Sequence, residues 1–218
     1  MEFIYDNLPD SQDNKVPADI MHPASRTLFR FWETARGEMS AAKKQDLDLK
    51  KIARILPNLF ILERDIHKPA YKWRLAGTGI CKLWGQELTG QYVLEDWPDF
   101  ERQTMASGFD MVVATLQPSV ARFKAISELG SEVGVEFISF PIQDSKSGAI
   151  QILGTAVPFR TPAWLGTQRL VNFELSAMRK IWTDSLPGDD VAANRYRGLL
   201  NRKKAPPFLK IIEGGRSS

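Results

Sequence analysis

The chain has 218 residues, 43% hydrophobic and 25% charged, which fits one substantial globular domain with extensions and leaves little room for two. No run approaches the ~18 to 20 uninterrupted apolar residues of a membrane helix, and the polar, acidic start lacks the basic flank and apolar core of a signal peptide, so a cytoplasmic location is expected. A single cysteine, Cys81, excludes an internal disulfide framework; with only two histidines, a dedicated zinc or haem-iron site is hard to assemble, and no metal centre is expected.

Residues 1–20 are polar, contain Pro9 and Pro17 and show no period that would bury a face, so they read as a mobile arm. His22-Pro23 then puts proline at a first helical position. Leu28, Phe31, Trp32 and Ala35 follow at the spacing of one apolar helix face, and Gly37 is the stop. A second helix is predicted from about residue 40, carrying Leu49, Ile52, Ala53 and Leu56 until Pro57. Residues 58–65 are short, apolar and β-capable. Residues 71–78 alternate, with Tyr71, Trp73 and Leu75 on one side and Lys72, Arg74 and Ala76 on the other; the link at 66–70 makes the pair a hairpin.

Gly77 and Gly79 follow this strand and invite comparison with a dinucleotide fingerprint. That motif needs a third glycine where Lys82 stands, and a βαβ unit around it. No Gly-Lys-Ser/Thr is present for a P-loop. The glycines therefore read as the sharp end of a strand, one or both at positive φ.

Further along, Phe100, Met105, Phe109, Val112, Val113 and Leu116 trace a helical stripe over residues 99–117, ended by Pro118. Three strands are predicted at 119–127, 132–143 and 149–159, joined by Gly, Ser and Asp-rich links. Strands and helices do not alternate as in a doubly wound sheet. Residues 167–185, with Leu170, Val171, Phe173, Leu175, Met178, Ile181 and Trp182 on more than one side, read as a C-terminal helix. From residue 188 onward Arg195, Arg197, Arg202, Lys203, Lys204, Lys210 and Arg216 outnumber Asp189, Asp190 and Glu213, so the net charge of +3 belongs to a basic tail. Such a tail can neutralise nucleic acid or anionic lipid, but aromatic interleaving is slight, and a solvated end is the simpler reading.

No chemistry stands out. There is no Gly-x-Ser-x-Gly elbow; His22 and His67 fall at a helix start and in a hairpin link; Cys81 has Lys82 beside it but no base in sequence. The acidic pairs Glu95/Asp96 and Asp189/Asp190 suit loops or caps.

The order β-β, short helices, one long helix, β-β-β, with "RILPNLFILE", "RLAGT" and "LWGQELTG" in place, resembles a PAS domain, and in particular the short, stand-alone bacterial PAS proteins of the type 5 family. The likeness covers about residues 22–159. It implies an α+β fold: a five-stranded antiparallel sheet with short helices on one face, plus N-terminal helices and a C-terminal helix and tail. The expected layout is an arm at 1–20, a PAS-like domain at 21–160, a helix at 161–187 and the tail at 188–218.

The resemblance also implies a small cavity between sheet and helices that holds a ligand or is filled by side chains. Its walls would come from Trp84, Tyr92, Trp97, Met105, Phe109 and Val113 in the helices and Phe123, Phe137 and Leu153 in the strands. Arg74 and Arg122 are the polar groups expected to orient an anionic ligand; every apolar member serves equally well as plain core. No cofactor can be named: the long helix has no histidine for haem, and "GICKLWGQ" only echoes the segment that bonds flavin covalently. Leu28, Phe31, Trp32 and Ala35 would form a homodimer stripe, or else cover the outer face of the sheet in a monomer. The implied function is a sensory or protein-interaction module in signalling, acting through a partner protein or self-association, and not an enzyme. A small-molecule enzyme on a related α+β fold is the rival, with Glu136 and Asp110 as candidate acid or base and both expected at the surface.

Overall fold

The computed structural model describes residues 16–183. The first fifteen residues of the expected arm and the whole basic tail lie outside them, as does the tail's reading as a nucleic-acid or lipid contact.

Helix α1 (Pro23–Arg36) starts as the sequence predicts: His22 is extended, its Nδ1 accepts the Ala24 N–H at 3.1 Å, and Pro23 takes the first turn. Gly37 ends it at φ 57°. The second predicted helix is not an α-helix. Residues 42–58 form a two-residue strand β1 (Ala42–Lys43) and tight three-residue-period turns at Lys44–Asp46 and Leu49–Asn58. Ile52 leaves helical geometry at φ −122°, and Pro57 sits inside the second run, so two interruptions break the spacing that suggested a continuous helix.

The other strands are β2 (Leu59–Arg64), β3 (Tyr71–Ala76), β4 (Ser119–Ser127), β5 (Glu132–Gln143), β6 (Ile150–Pro158) and β7 (Leu170–Lys180), with α2 (Thr78–Trp84) and α3 (Asp99–Thr115) between β3 and β4. They form one sheet in the order β3-β2-β6-β5-β4-β7, with β1 alongside the end of β5 as its parallel neighbour. The five expected antiparallel strands are β2 to β6. Two more extend the sheet, so the five-strand expectation falls short.

The larger correction is β7, which occupies the place of the predicted C-terminal helix. It pairs antiparallel with β4, and its register shifts twice: Val171 and Ser176 each have no opposite number. These bulges space the residues facing the core, Leu170, Phe173, Leu175 and Met178, by three, two and three. That imitates a helical period in a strand whose true period is two. A third bulge, at Arg74, turns Leu75 outward, 46% exposed, although strict alternation from Tyr71 and Trp73 would bury it.

Both faces of the sheet are covered. On the inner face α2 and α3 rest on Phe60, Leu62, Trp73, Phe123, Phe137, Ile152 and Phe173. On the outer face α1 and the 49–58 turns pack on Val120, Ile138, Phe140, Ile142, Leu153 and Val157, joined by Val16 and Ile20 from the arm. Burial from both sides explains why β5 and β6 read as near-continuous apolar runs. The outer edge of β3 is strapped by residues 90–93, through Trp73 N–H to Gln91 O (3.0 Å), Gly90 N–H to Trp73 O (2.7 Å) and Val93 N–H to Tyr71 O (2.9 Å).

Gly77 and Gly79 serve a different purpose from the expected positive φ, which neither adopts. A Cβ on Gly77 would lie 2.3 Å from the Pro57 carbonyl oxygen, and one on Gly79 would lie 2.5 Å from Asn58 Oδ1. They are glycines because the chain leaving β3 crosses the backbone of residues 56–58 at contact distance.

Candidate functional site

The inner layer is built from rings. Phe137 stacks on Phe60 with centroids 4.4 Å apart, Trp73 meets Trp84 edge-on at 5.7 Å, and Tyr71 meets Phe109 at 5.3 Å. Toward β7, Trp97 lies parallel to Phe173 at 4.6 Å and edge-on to Phe123 at 4.9 Å, while Trp84 stacks on the same Phe173 at 5.9 Å. Such pairs add roughly 0.5–1.5 kcal/mol each beyond their buried area. Met105, Val112 and Val113 of α3 close the layer from above, all buried.

Of the sequence-predicted wall residues, Trp84, Trp97, Met105, Phe109, Val113, Phe123 and Phe137 meet in this layer, and Tyr92 lies at its rim. Three do not. Leu153 points to the outer face and packs beneath α1. Arg122 is also on the outer face, ion-paired with Glu136 at 3.5 Å and donating to the Asp19 carbonyl. Arg74, the bulge residue, is exposed and pairs with Glu63 at 3.3 Å. Phe100, placed on the buried stripe of α3, is 75% exposed.

Sequence reasoning missed Phe173 and Trp73, the rings that Trp84 and Trp97 pack against. Phe173 was hidden by the bulges; the three-two-three spacing after Gly166 was the available signal.

Two openings border this layer or the hairpin beside it. The smaller, about 20 Å³, is lined by Trp73, Trp84, Trp97 and Phe173 together with Gln86, Leu88, Gln91, Tyr92, Val93, Glu95 and Asp96. It is large enough for about one water. Trp97 is 4% exposed, and its indole N–H meets no acceptor among the described residues. A buried donor left unpaired costs roughly 1–3 kcal/mol, which makes it the chemically notable group of this layer. The larger opening, about 240 Å³, is a surface groove between the β2–β3 hairpin and α3, lined by Lys68, Pro69, Ala70, Tyr71, Tyr92, Leu94, Glu95, Arg102 and Ala106. Beside it the Lys68 and Lys72 ammonium groups lie 4.9 and 5.0 Å from the centre of the Tyr92 ring. Lys72 also bonds Asp65 at 2.5 Å, and that bond, with the backbone N–H groups of His67 and Lys68, holds the Asp65 carboxyl well below the usual carboxylate range.

The candidate acids and the cysteine face elsewhere. Glu136, expected at the surface, is fully buried on the outer face, where it accepts the backbone N–H groups of Met21 and His22 at 2.9 Å each. Asp110 accepts from the Tyr71 hydroxyl at 2.9 Å and pairs with Arg64 at 3.4 Å. Burial raises the Cys81 thiol, and Glu87 beside it adds to the rise, the reverse of what a nucleophile needs. No group of three or more metal-ligating side chains occurs among the described residues. None of their helices is long and apolar enough to cross a membrane.

The dimer stripe is also redistributed. Leu28 and Trp32 are fully buried against the chain's own sheet, and the Trp32 indole donates to Pro141 O at 2.8 Å, so these two are core residues. Phe31 and Ala35 are only partly buried beside them.

A family model described as PAS domain matches residues 20–157. No curated protein matches the chain. Among solved structures it resembles the PAS domain of a protein from Colwellia psychrerythraea, at TM-score 0.38 and 17% identity over 51% of this chain and 96% of that one. It also resembles the VqmA dimer of Vibrio cholerae in the absence of target DNA, at TM-score 0.38 and 14% identity, spanning about half of each chain. A third likeness is to a light-oxygen-voltage domain described with a flavin analogue, at TM-score 0.35 and 15% identity over 71% and 95%. All three scores lie below 0.5.

Proposed function

Because the chain belongs to the PAS domain family, whose members are in general sensory and signalling modules, we propose that it is a sensory or interaction module that acts through a partner protein or through self-association, without catalysis. The reading includes a small ligand held in the inner layer by a hydrogen-bond acceptor, such as a carbonyl or carboxylate, set against the Trp97 indole. The observation that carries the ligand is the unpaired, buried Trp97 N–H beside the small opening ringed by Trp73, Trp84 and Phe173. A ligand larger than a water has to spread Trp84 and Trp97. Those two rings bridge α2, the segment before α3 and strand β7, so its entry would move the helices against the sheet. A cytoplasmic setting fits this role.

The filled remainder of the layer favours a second reading, a module that works by contact alone. Native mass spectrometry of the purified chain separates the two. Bound small-molecule mass that is lost in Trp97→Phe, with the fold retained by circular dichroism, is the expected result. A chain that carries no added mass and shows no thermal shift across a metabolite panel would leave the contact-only module and sink the ligand. The two residues named for the enzyme alternative are held by structural partners, Glu136 by the backbone before α1 on the outer face and Asp110 by Tyr71 and Arg64.

A further inference from the structure

The geometry points to the free edge of β7 as the surface on which a second copy of this chain docks, strand against antiparallel strand, about a two-fold axis between Ser176 and Ala177. Among the described residues β7 pairs on one side only, with β4. Its 11 residues are a long edge to leave open. The backbone groups on that edge follow from the register. Asn172, Glu174, Ala177 and Arg179 lie opposite Ile126, Lys124, Arg122 and Val120, and Ile181 N–H bonds Pro118 O at 2.8 Å, which sets these positions toward β4. By alternation Phe173, Leu175, Met178 and Lys180 turn their N–H and C=O groups outward. Phe173 N–H, accepted by the neighbouring Asn172 side chain at 2.9 Å, agrees with this.

In the two-fold pairing Phe173 faces Lys180 and Leu175 faces Met178, each pair joined through outward backbone groups, while Glu174 faces Arg179. The last contact is the specific one. Five residues apart, Glu174 and Arg179 would lie on opposite faces of a regular strand; the bulge at Ser176 puts both on the outer face, where Glu174 reaches Lys124 (2.8 Å) and Arg179 reaches Asp19 (3.3 Å). Each end of the pairing then sets an acid against a base, twice per dimer. Sliding the register by two residues in either direction abolishes both charge pairs. On the inner face, Leu175 and Met178, only partly buried in one copy, cover each other's apolar surface.

The full chain should show a concentration-dependent monomer–dimer equilibrium in sedimentation velocity. Reversing two charge pairs should weaken it about tenfold or more in Glu174→Arg and in Arg179→Glu, each taken separately. Mixing the two variants re-creates both pairs across the axis and should restore dimer, although neither protomer regains its internal contact to Lys124 or Asp19. Leu175→Pro removes an outward N–H without touching the β4 ladder and should likewise leave a folded monomer. Amides of Leu175, Met178 and Lys180 should exchange more slowly as protein concentration rises. A chain monomeric throughout, a dimer indifferent to both charge reversals, no recovery on mixing, or amide protection that does not vary with concentration would overturn the assignment, the last by giving the edge to the protein's own residues.

Discussion

The two faces of the sheet close by different means. The inner face is sealed by aromatic rings in edge and stacked contact, and the buried Trp97 indole N–H meets no acceptor among the described residues. The outer face is sealed by apolar side chains under α1, but at the start of that helix lies the buried carboxylate of Glu136, which grips the backbone just before α1 and faces Arg122. Ring contacts can slide and re-pack at small cost, whereas a buried charge holds only while each of its partners is in place. The inner layer is thus suited to accommodate, and the outer one to hold the helix in one position.

That contrast can be broken from its strongest point downward. Trp32→Ala removes the largest side chain under α1 together with its bond to Pro141 and should cost about 4 kcal/mol in urea denaturation. Glu136→Ala leaves two backbone donors and the Arg122 guanidinium without their acceptor. We expect a loss of about 3 kcal/mol and faster amide exchange confined to residues 17–24; a loss under about 1 kcal/mol would mean that apolar packing alone fixes α1. Gly77→Ala drives a methyl group into the Pro57 and Leu56 carbonyls, where the outer turns meet the inner α2, and should cost about 2 kcal/mol; no flexible side chain is there to yield. The smallest effect concerns pH. Burial lowers the pKa of His22 from 6.5, partly opposed by Glu136, and it is the neutral ring whose Nδ1 can accept the Ala24 N–H that caps α1. The unfolded chain therefore binds the proton more readily, so this contribution is complete above pH 6.5 and declines as pH falls toward the folded value. Urea midpoints measured down to pH 5 should fall in the wild type and flatten in His22→Asn.

Most of the element order could be read because its signals are local. Pro23 and Gly37 bracket α1; the stripe from Met105 to Val113 marks α3; β4 and β5 carry the predicted bounds and β6 differs by one residue at each end. What could not be read depends on partners distant in sequence. In strands buried on both sides apolar residues follow one another on both parities, so parity does not tell which face a residue joins, and Leu153 lies on the face opposite to the one expected. Glu136 looked like a surface acid because the backbone donors that satisfy it lie more than a hundred residues away. Strand β7 was unreadable for a different reason: bulges are set by pairing with β4, and they disguise a period of two. The inner site was accordingly legible in Trp84, Trp97, Phe123 and Phe137 and illegible in Phe173, the ring that joins them.

The strap at residues 90–93 sets a limit on assembly. By occupying the outer side of β3 it leaves β7, among the described residues, as the end of the strand order β3-β2-β6-β5-β4-β7 open to a partner, and a body that pairs through one such end has a valence of one. When a second copy docks two-fold on β7, both open ends are used at once, so the long bulged edge can associate without seeding an open-ended fibre.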